Sequence, residues 1–70
     1  MQRYSIYYTF LETYEFPGEE PISDEIEESE VIDFSSWSDL QDFIRQLKNN
    51  GCYDIHATYL YEVDTDGEQI

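Results

Sequence analysis

"YSIYYTFLETYEF", residues 4–16, decides the fold. Tyr4, Ile6, Tyr8 and Phe10 alternate with Ser5, Tyr7, Thr9 and Leu11, so aromatic and β-branched groups fall on both faces of an extended chain. A strand apolar on both sides predicts the centre of a sheet, with a neighbour at each edge. The rest of the chain supplies those neighbours. "PGEEP", residues 17–21, is turn material. "EVIDF", residues 30–34, reads as a second strand with Ile32 and Phe34 on one face and Val31 on the other, and the acidic stretch before it, from "SDEIEES" on, leads into that strand or forms part of it.

"SSWSDLQDFIRQLKNNG", residues 35–51, is a helix with both ends marked. Ser35 or Ser36 can cap its N-terminus, with Asp39 completing a weak capping box. Trp37, Leu40, Phe43, Ile44 and Leu47 form one apolar stripe at helical spacing. Arg45 and Lys48 suit the negative end of the helix dipole, and Asn49, Asn50 and Gly51 tolerate the left-handed conformation of a C-cap. "CYDIHATYLYEV", residues 52–63, is a third strand; strict alternation places Tyr53, Ile55, Ala57, Tyr59, Tyr61 and Val63 on one face. Asp66-Gly67 is a turn signal from which Ile70 can return as a short hairpin arm. The reading is therefore an α+β fold of order β-β-α-β. A hairpin followed by a right-handed helical crossover gives a mainly antiparallel, three-stranded sheet of order 2-1-3 with the helix packed on one face. Residues 1–70 form a single small acidic domain, without internal repeats.

Composition narrows the function. Seventeen acidic residues against three basic ones give a formal charge of −14. Such a charge opposes compaction and often marks disorder. Seven Tyr, four Phe and one Trp argue for a folded core instead. The charge repels nucleic acid and anionic membranes and attracts basic protein surfaces. Cys52 is the single cysteine, so no disulfide can form within the chain, as suits a reducing cytosol. No apolar run approaches the length of a membrane span. We expect a cytoplasmic, soluble protein, monomeric or homodimeric.

Catalytic readings fail on inventory. His56 is the only histidine, no glycine-rich loop opens the helix, and carboxylate pairs carry no information when seventeen acids are present. Cys52, Asp54 and His56 lie at i, i+2 and i+4 on one expected strand, but a structural zinc site needs four ligands. "DTDG", residues 64–67, is an Asp-Gly turn rather than a calcium loop, which needs twelve residues and a closing glutamate. No cofactor or metal is expected, and the protein is expected not to be an enzyme.

The acids are the remaining signal. From Tyr4 to Ile44 there are twelve carboxylates and no Lys or Arg. A surface built only for solubility mixes both signs. Glu28 and Glu30, if extended, stand roughly 6.7 Å apart on one face, and Asp39 and Asp42 about 5–6 Å apart on the helix. Those intervals are close to the spacing of phosphates along a nucleic-acid strand, so a folded domain displaying them could occupy a DNA-binding groove. The candidate partner-binding residues are Glu19, Glu20, Asp24, Glu25, Glu27, Glu28, Ser29, Glu30, Asp33, Asp39 and Asp42, with Phe16 and Ile26 as apolar anchors among the glutamates.

In size, charge and scarcity of basic residues the chain resembles phage-encoded DNA mimics: uracil-DNA glycosylase inhibitors, antirestriction proteins and anti-CRISPR proteins. "EESEVI", residues 27–32, is similar to a Glu-Ser pair followed by apolar residues that opens an enzyme-contacting strand in some glycosylase inhibitors. Glu28-Ser29, Val31 and Ile32 match; Glu30 stands where an apolar residue is expected. The β-β-α-β order is also similar to one small glycosylase-inhibitor fold. The resemblance implies an inhibitor that blocks DNA binding by a basic host protein. Two further readings are a protein-interaction module using the uncovered sheet face at Tyr7, Thr9 and Leu11, and an antitoxin-like or immunity-like partner of one basic enzyme.

Overall fold

The computed structural model describes residues 1–70. Strand β1 (Gln2–Tyr14) and strand β2 (Ile22–Phe34) form a long antiparallel hairpin, helix α1 (Trp37–Asn49) crosses over, and strand β3 (Tyr53–Glu62) adds to the other side of β1. The sheet order is β2-β1-β3, with both pairings antiparallel, so the aromatic strand is central as its two-faced pattern predicts. No helix is long and apolar enough to cross a membrane.

The hairpin turns on Pro17 and Gly18. Glu19 N–H donates to Phe16 O at 3.1 Å and Gly18 has φ +80, the pattern of a type II turn. At the helix N-terminus the cap is Ser36, whose Oγ accepts from Asp39 N–H at 3.2 Å. At the C-terminus Gly51 (φ +89) lets Cys52 N–H reach Leu47 O and its own N–H reach Lys48 O, a Schellman ending.

The core lies between the helix and the proximal half of the sheet. Tyr4, Ile6, Phe34, Leu40 and Leu47 are buried, with Tyr8, Ile32, Phe43, Ile44, Cys52 and Ile55 packed around them. Ile6 and Leu40 are sealed, at 0% and 1% exposed. Edge-to-face rings extend the packing: Tyr4 meets Phe34 at 6.0 Å and Tyr59 at 5.7 Å. The chain closes on Val63, whose N–H donates to Met1 O, and a bridge from Val63 to Gln69 forms the short C-terminal arm.

Three features depart from the sequence reading. First, β2 begins at Ile22 rather than Glu30. Glutamate and aspartate are poor strand formers, but β1 remains extended to Tyr14 and its ladder imposes the same conformation on its partner. Second, Trp37 is 64% exposed and lies outside the apolar contact. It is the first helical residue, beside the Ser35–Ser36 corner, and Leu40 is the first to meet the sheet. Third, β3 does not alternate strictly. Register shifts beside Arg3/Tyr4 and Tyr7/Thr9 put two bulges in the strand, the second at Asp54 with φ 51. Tyr61 therefore pairs with Arg3 and Tyr53 with Thr9, both on the face away from the helix, whereas Tyr59 pairs with Tyr4 on the helix side.

The molecule is elongated, 56 × 20 × 18 Å. Strand β3 pairs with β1 only from Gln2 to Thr9. The helix, about 20 Å long for thirteen residues, starts at the Phe34 end and returns toward the level of Thr9. Beyond that level β1 and β2 continue alone, as a two-stranded ribbon from the Phe10–Ile26 pair to the turn.

Candidate interaction surface

The unbroken β1–β2 register assigns every side chain of the hairpin to a face. Tyr4, Ile6, Tyr8, Phe10, Glu12 and Tyr14 pair with Ile32, Glu30, Glu28, Ile26, Asp24 and Ile22 on the helix side. Arg3, Ser5, Tyr7, Thr9, Leu11 and Thr13 pair with Asp33, Val31, Ser29, Glu27, Glu25 and Ser23 on the opposite side. The pleat thus splits the acids of β2 from Asp24 to Glu30: Asp24, Glu28 and Glu30 lie on one face, Glu25 and Glu27 on the other. Acids on a face stand roughly 6.7 Å apart when they are two positions apart in sequence, as Glu28 and Glu30 are. β2 is an edge strand, so all of these carboxylates are accessible along one side of the molecule, and their charge also discourages pairing with a further strand.

The proposed site residues do not form one cluster. Asp24, Glu25, Glu27, Glu28, Ser29 and Glu30 share a continuous stretch of strand. Glu19 and Glu20 lie beyond it at the turn. Asp33 is spent internally: Arg3 Nε donates to its Oδ1 at 2.7 Å and Nη2 to its Oδ2 at 3.0 Å. Arg3 raises no free positive field, because the same guanidinium donates to Tyr61 Oη and Gly67 O and stacks over the Tyr61 ring. Asp39 serves the helix start, accepting from Ser35 Oγ at 2.7 Å, and Asp42 accepts from Arg45 at 3.2 Å. Both sit at the far end from the turn. The usable acidic surface is therefore Asp24–Glu30 and the turn, and Lys48 is the one basic side chain without a carboxylate partner.

Tyrosines hold part of this surface. Tyr8 Oη donates to Glu30 Oε2 at 3.2 Å. Burial, and secondarily Glu30, pushes the Tyr8 phenol above its ordinary value; burial and then Glu25 do the same to Tyr53. Thr9, expected on the uncovered face, is on that face but only 1% exposed, between Tyr53 and Glu27 in the register. Cys52 packs with the helix-side cluster while His56 stacks with Tyr7 on the other face, so the bulge at Asp54 separates two of the three groups in that i, i+2, i+4 series.

Sequence reasoning missed Glu12, which directly faces Asp24, and Tyr8 and Tyr53, which contact the acids of β2. The hairpin itself was no sufficient signal: counting back from a two-residue Pro-Gly corner would pair Glu12 with Ser23, whereas the observed register, one residue off, pairs Tyr14 with Ile22 and Glu12 with Asp24. Comparison with protein-family models, with curated proteins and with solved structures finds no match to this chain.

Proposed function

We propose that this protein is a DNA-mimic inhibitor that occupies the basic groove of a host DNA-processing or defence protein, such as a uracil-DNA glycosylase, a CRISPR effector or a restriction enzyme. The supporting observation is the strand-held row Asp24–Glu30. Between Glu12 and Glu30 there are nine carboxylates and no cation, and most of that stretch belongs to paired strand. A pleated strand holds carboxylates at fixed intervals, so their charge adds up along a line as it does along a phosphate backbone. Inhibition then needs no chemistry: the partner's Lys and Arg side chains bind carboxylates in place of phosphates, and DNA is displaced in the cytoplasm of the host cell.

The test is displacement of a fluorescent duplex from those three kinds of enzyme. The protein should compete at low ionic strength and lose affinity steeply as salt rises. Failure to displace DNA from any of them, or competition indifferent to salt, removes this reading. A second reading, a protein-interaction module acting through the face away from the helix, is favoured by Leu11 and Val31, 59% and 63% exposed there. Under that reading Leu11→Ser abolishes partner binding while neutral replacements of the β2 acids do not.

A further inference from the structure

The β1–β2 ribbon beyond Thr9 pairs with no third strand, though Tyr53 of β3 reaches Glu25 on the face away from the helix, and its two faces differ sharply. The face away from the helix carries Leu11 and Glu25, then Thr13 and Ser23, whose hydroxyls hydrogen-bond at 3.1 Å. The helix-side face carries two apolar cross-strand pairs, Phe10 with Ile26 and Tyr14 with Ile22. Tyr14 and Ile22 are 40% and 51% exposed. The Phe10 ring lies 6.4 Å from Tyr8, which packs on the core, so the apolar row runs from the core toward the tip. Between the two apolar pairs Glu12 faces Asp24, two like charges directly opposed with no cation among the residues of the ribbon. Such opposition is unfavourable in the free protein. Aromatic and branched anchors ringed by unneutralised carboxylates form a surface whose complement is apolar at its floor and cationic at its rim.

We propose that this uncovered half of the hairpin is a docking arm whose helix-side face, Phe10, Tyr14, Ile22 and Ile26, seats in a cationic cleft with an apolar floor on a protein partner. The charge selects that occupant. A second copy laid face to face would oppose two Glu12–Asp24 pairs with no cation between them, and an anionic lipid surface would be repelled outright. The inference deepens the reading above and rests on it for the sign of the partner. It adds that the acids of β2 steer and the apolar face holds.

The experiment titrates the full chain, with labelled methyl groups, against two probes: a helical peptide of Lys and Leu with an apolar face, and an oligolysine of equal charge. The Lys-Leu peptide is expected to bind more tightly and to shift the Ile22 and Ile26 methyls while leaving those of Leu11 and Val31 in place. The double substitution Phe10→Ser/Ile26→Ser is expected to weaken its binding about tenfold, and Leu11→Ser to leave it unchanged. Phe10 and Ile26 lie outside the buried core cluster; circular dichroism checks the fold, and Tyr14→Ser/Ile22→Ser nearer the tip is the companion variant. Equal affinity for both probes, equal shifts on both faces, or full binding by both double variants overturns the proposal. So does concentration-dependent shifting of the same methyls without peptide, which assigns the face to a second copy. If the Lys-Leu peptide binds through this face while no enzyme loses its DNA, DNA mimicry fails and the docking arm stands; DNA displacement unaffected by both double variants has the opposite meaning.

Discussion

Arg3 and Asp33 are direct partners across β1 and β2, and the guanidinium grips both carboxylate oxygens, at 2.7 and 3.0 Å, on the face away from the helix. Tyr61 Oη and the carbonyl of Gly67 each accept a further N–H from it. One cation thereby joins both edges of the sheet and the C-terminal arm. Because the fork geometry is used on two oxygens, Lys is not an equivalent replacement. Arg3→Lys and Arg3→Ala should both lower Tm, and both should speed amide exchange at Ile70, whose N–H donates to Glu62 O in the arm that Arg3 holds.

The same contact sets an acid limit. The Arg3 hydrogen bond, aided by its charge, holds the Asp33 carboxyl below its ordinary 3.8. A carboxylate with a depressed folded value contributes stability above the unfolded value and loses it as pH falls through the folded one. Asp33→Asn should therefore be less stable than the natural chain near neutral pH, with the gap closing below about pH 4 as the natural Asp33 becomes protonated. Thermal melts of both proteins across that range read the crossover.

At the alkaline side the sign reverses. Burial, then Glu30, raises the Tyr8 phenol above its ordinary 10.0. An acid raised in the folded state contributes stability below its unfolded value and loses it as pH climbs through the folded value. Tyr8→Phe should flatten the fall in stability above about pH 10 while giving up the bond to Glu30 at neutral pH. Melts in matched alkaline buffers measure this.

Charge should govern stability as much as packing does. At −14, added sodium chloride should raise Tm between about 20 mM and 0.5 M, as screening shortens the reach of the repulsion. Replacing Glu25, Glu27 and Glu28 by Gln should likewise raise Tm at low salt, yet weaken DNA displacement and flatten its salt dependence. Stabilisation with unchanged displacement would remove these three acids from the proposed mechanism.

Only seven side chains are buried, so single core positions carry much of the stability. Leu40→Ala should cost about 2–5 kcal/mol, which for a domain of this length approaches the whole margin. Trp37→Ala, at an exposed position, should change stability by under about 0.5 kcal/mol. Urea unfolding of the two variants compares them directly.

The helix ends and the central strand were legible in the sequence because their signals are local. Ser36 and Gly51 cap by contacts within a few residues, and Tyr4–Phe10 carry their pattern in consecutive positions. The candidate surface was legible only as an excess of acid. Ile22 and Ile26, four apart with only polar residues between them, show no strand alternation, so whether the acidic stretch led into β2 or formed part of it stayed open until β1 was laid beside it. Which acids remain available was equally hidden: Asp33 is lost to Arg3 thirty residues away, and nothing in its neighbourhood marks it off from Glu30.

By itself the sequence determined the element order, the central place of the aromatic strand, the caps of the helix and the one-signed charge, since each follows from side-chain type at short range. The tertiary structure decided the length of β2, the face occupied by Tyr53 and Tyr61, the exposure of Trp37 and the bare ribbon beyond Thr9. These depend on register, bulges and the reach of one helix over a narrow sheet. An edge strand takes its conformation from the hydrogen bonds of its neighbour, and those bonds are written in another part of the chain.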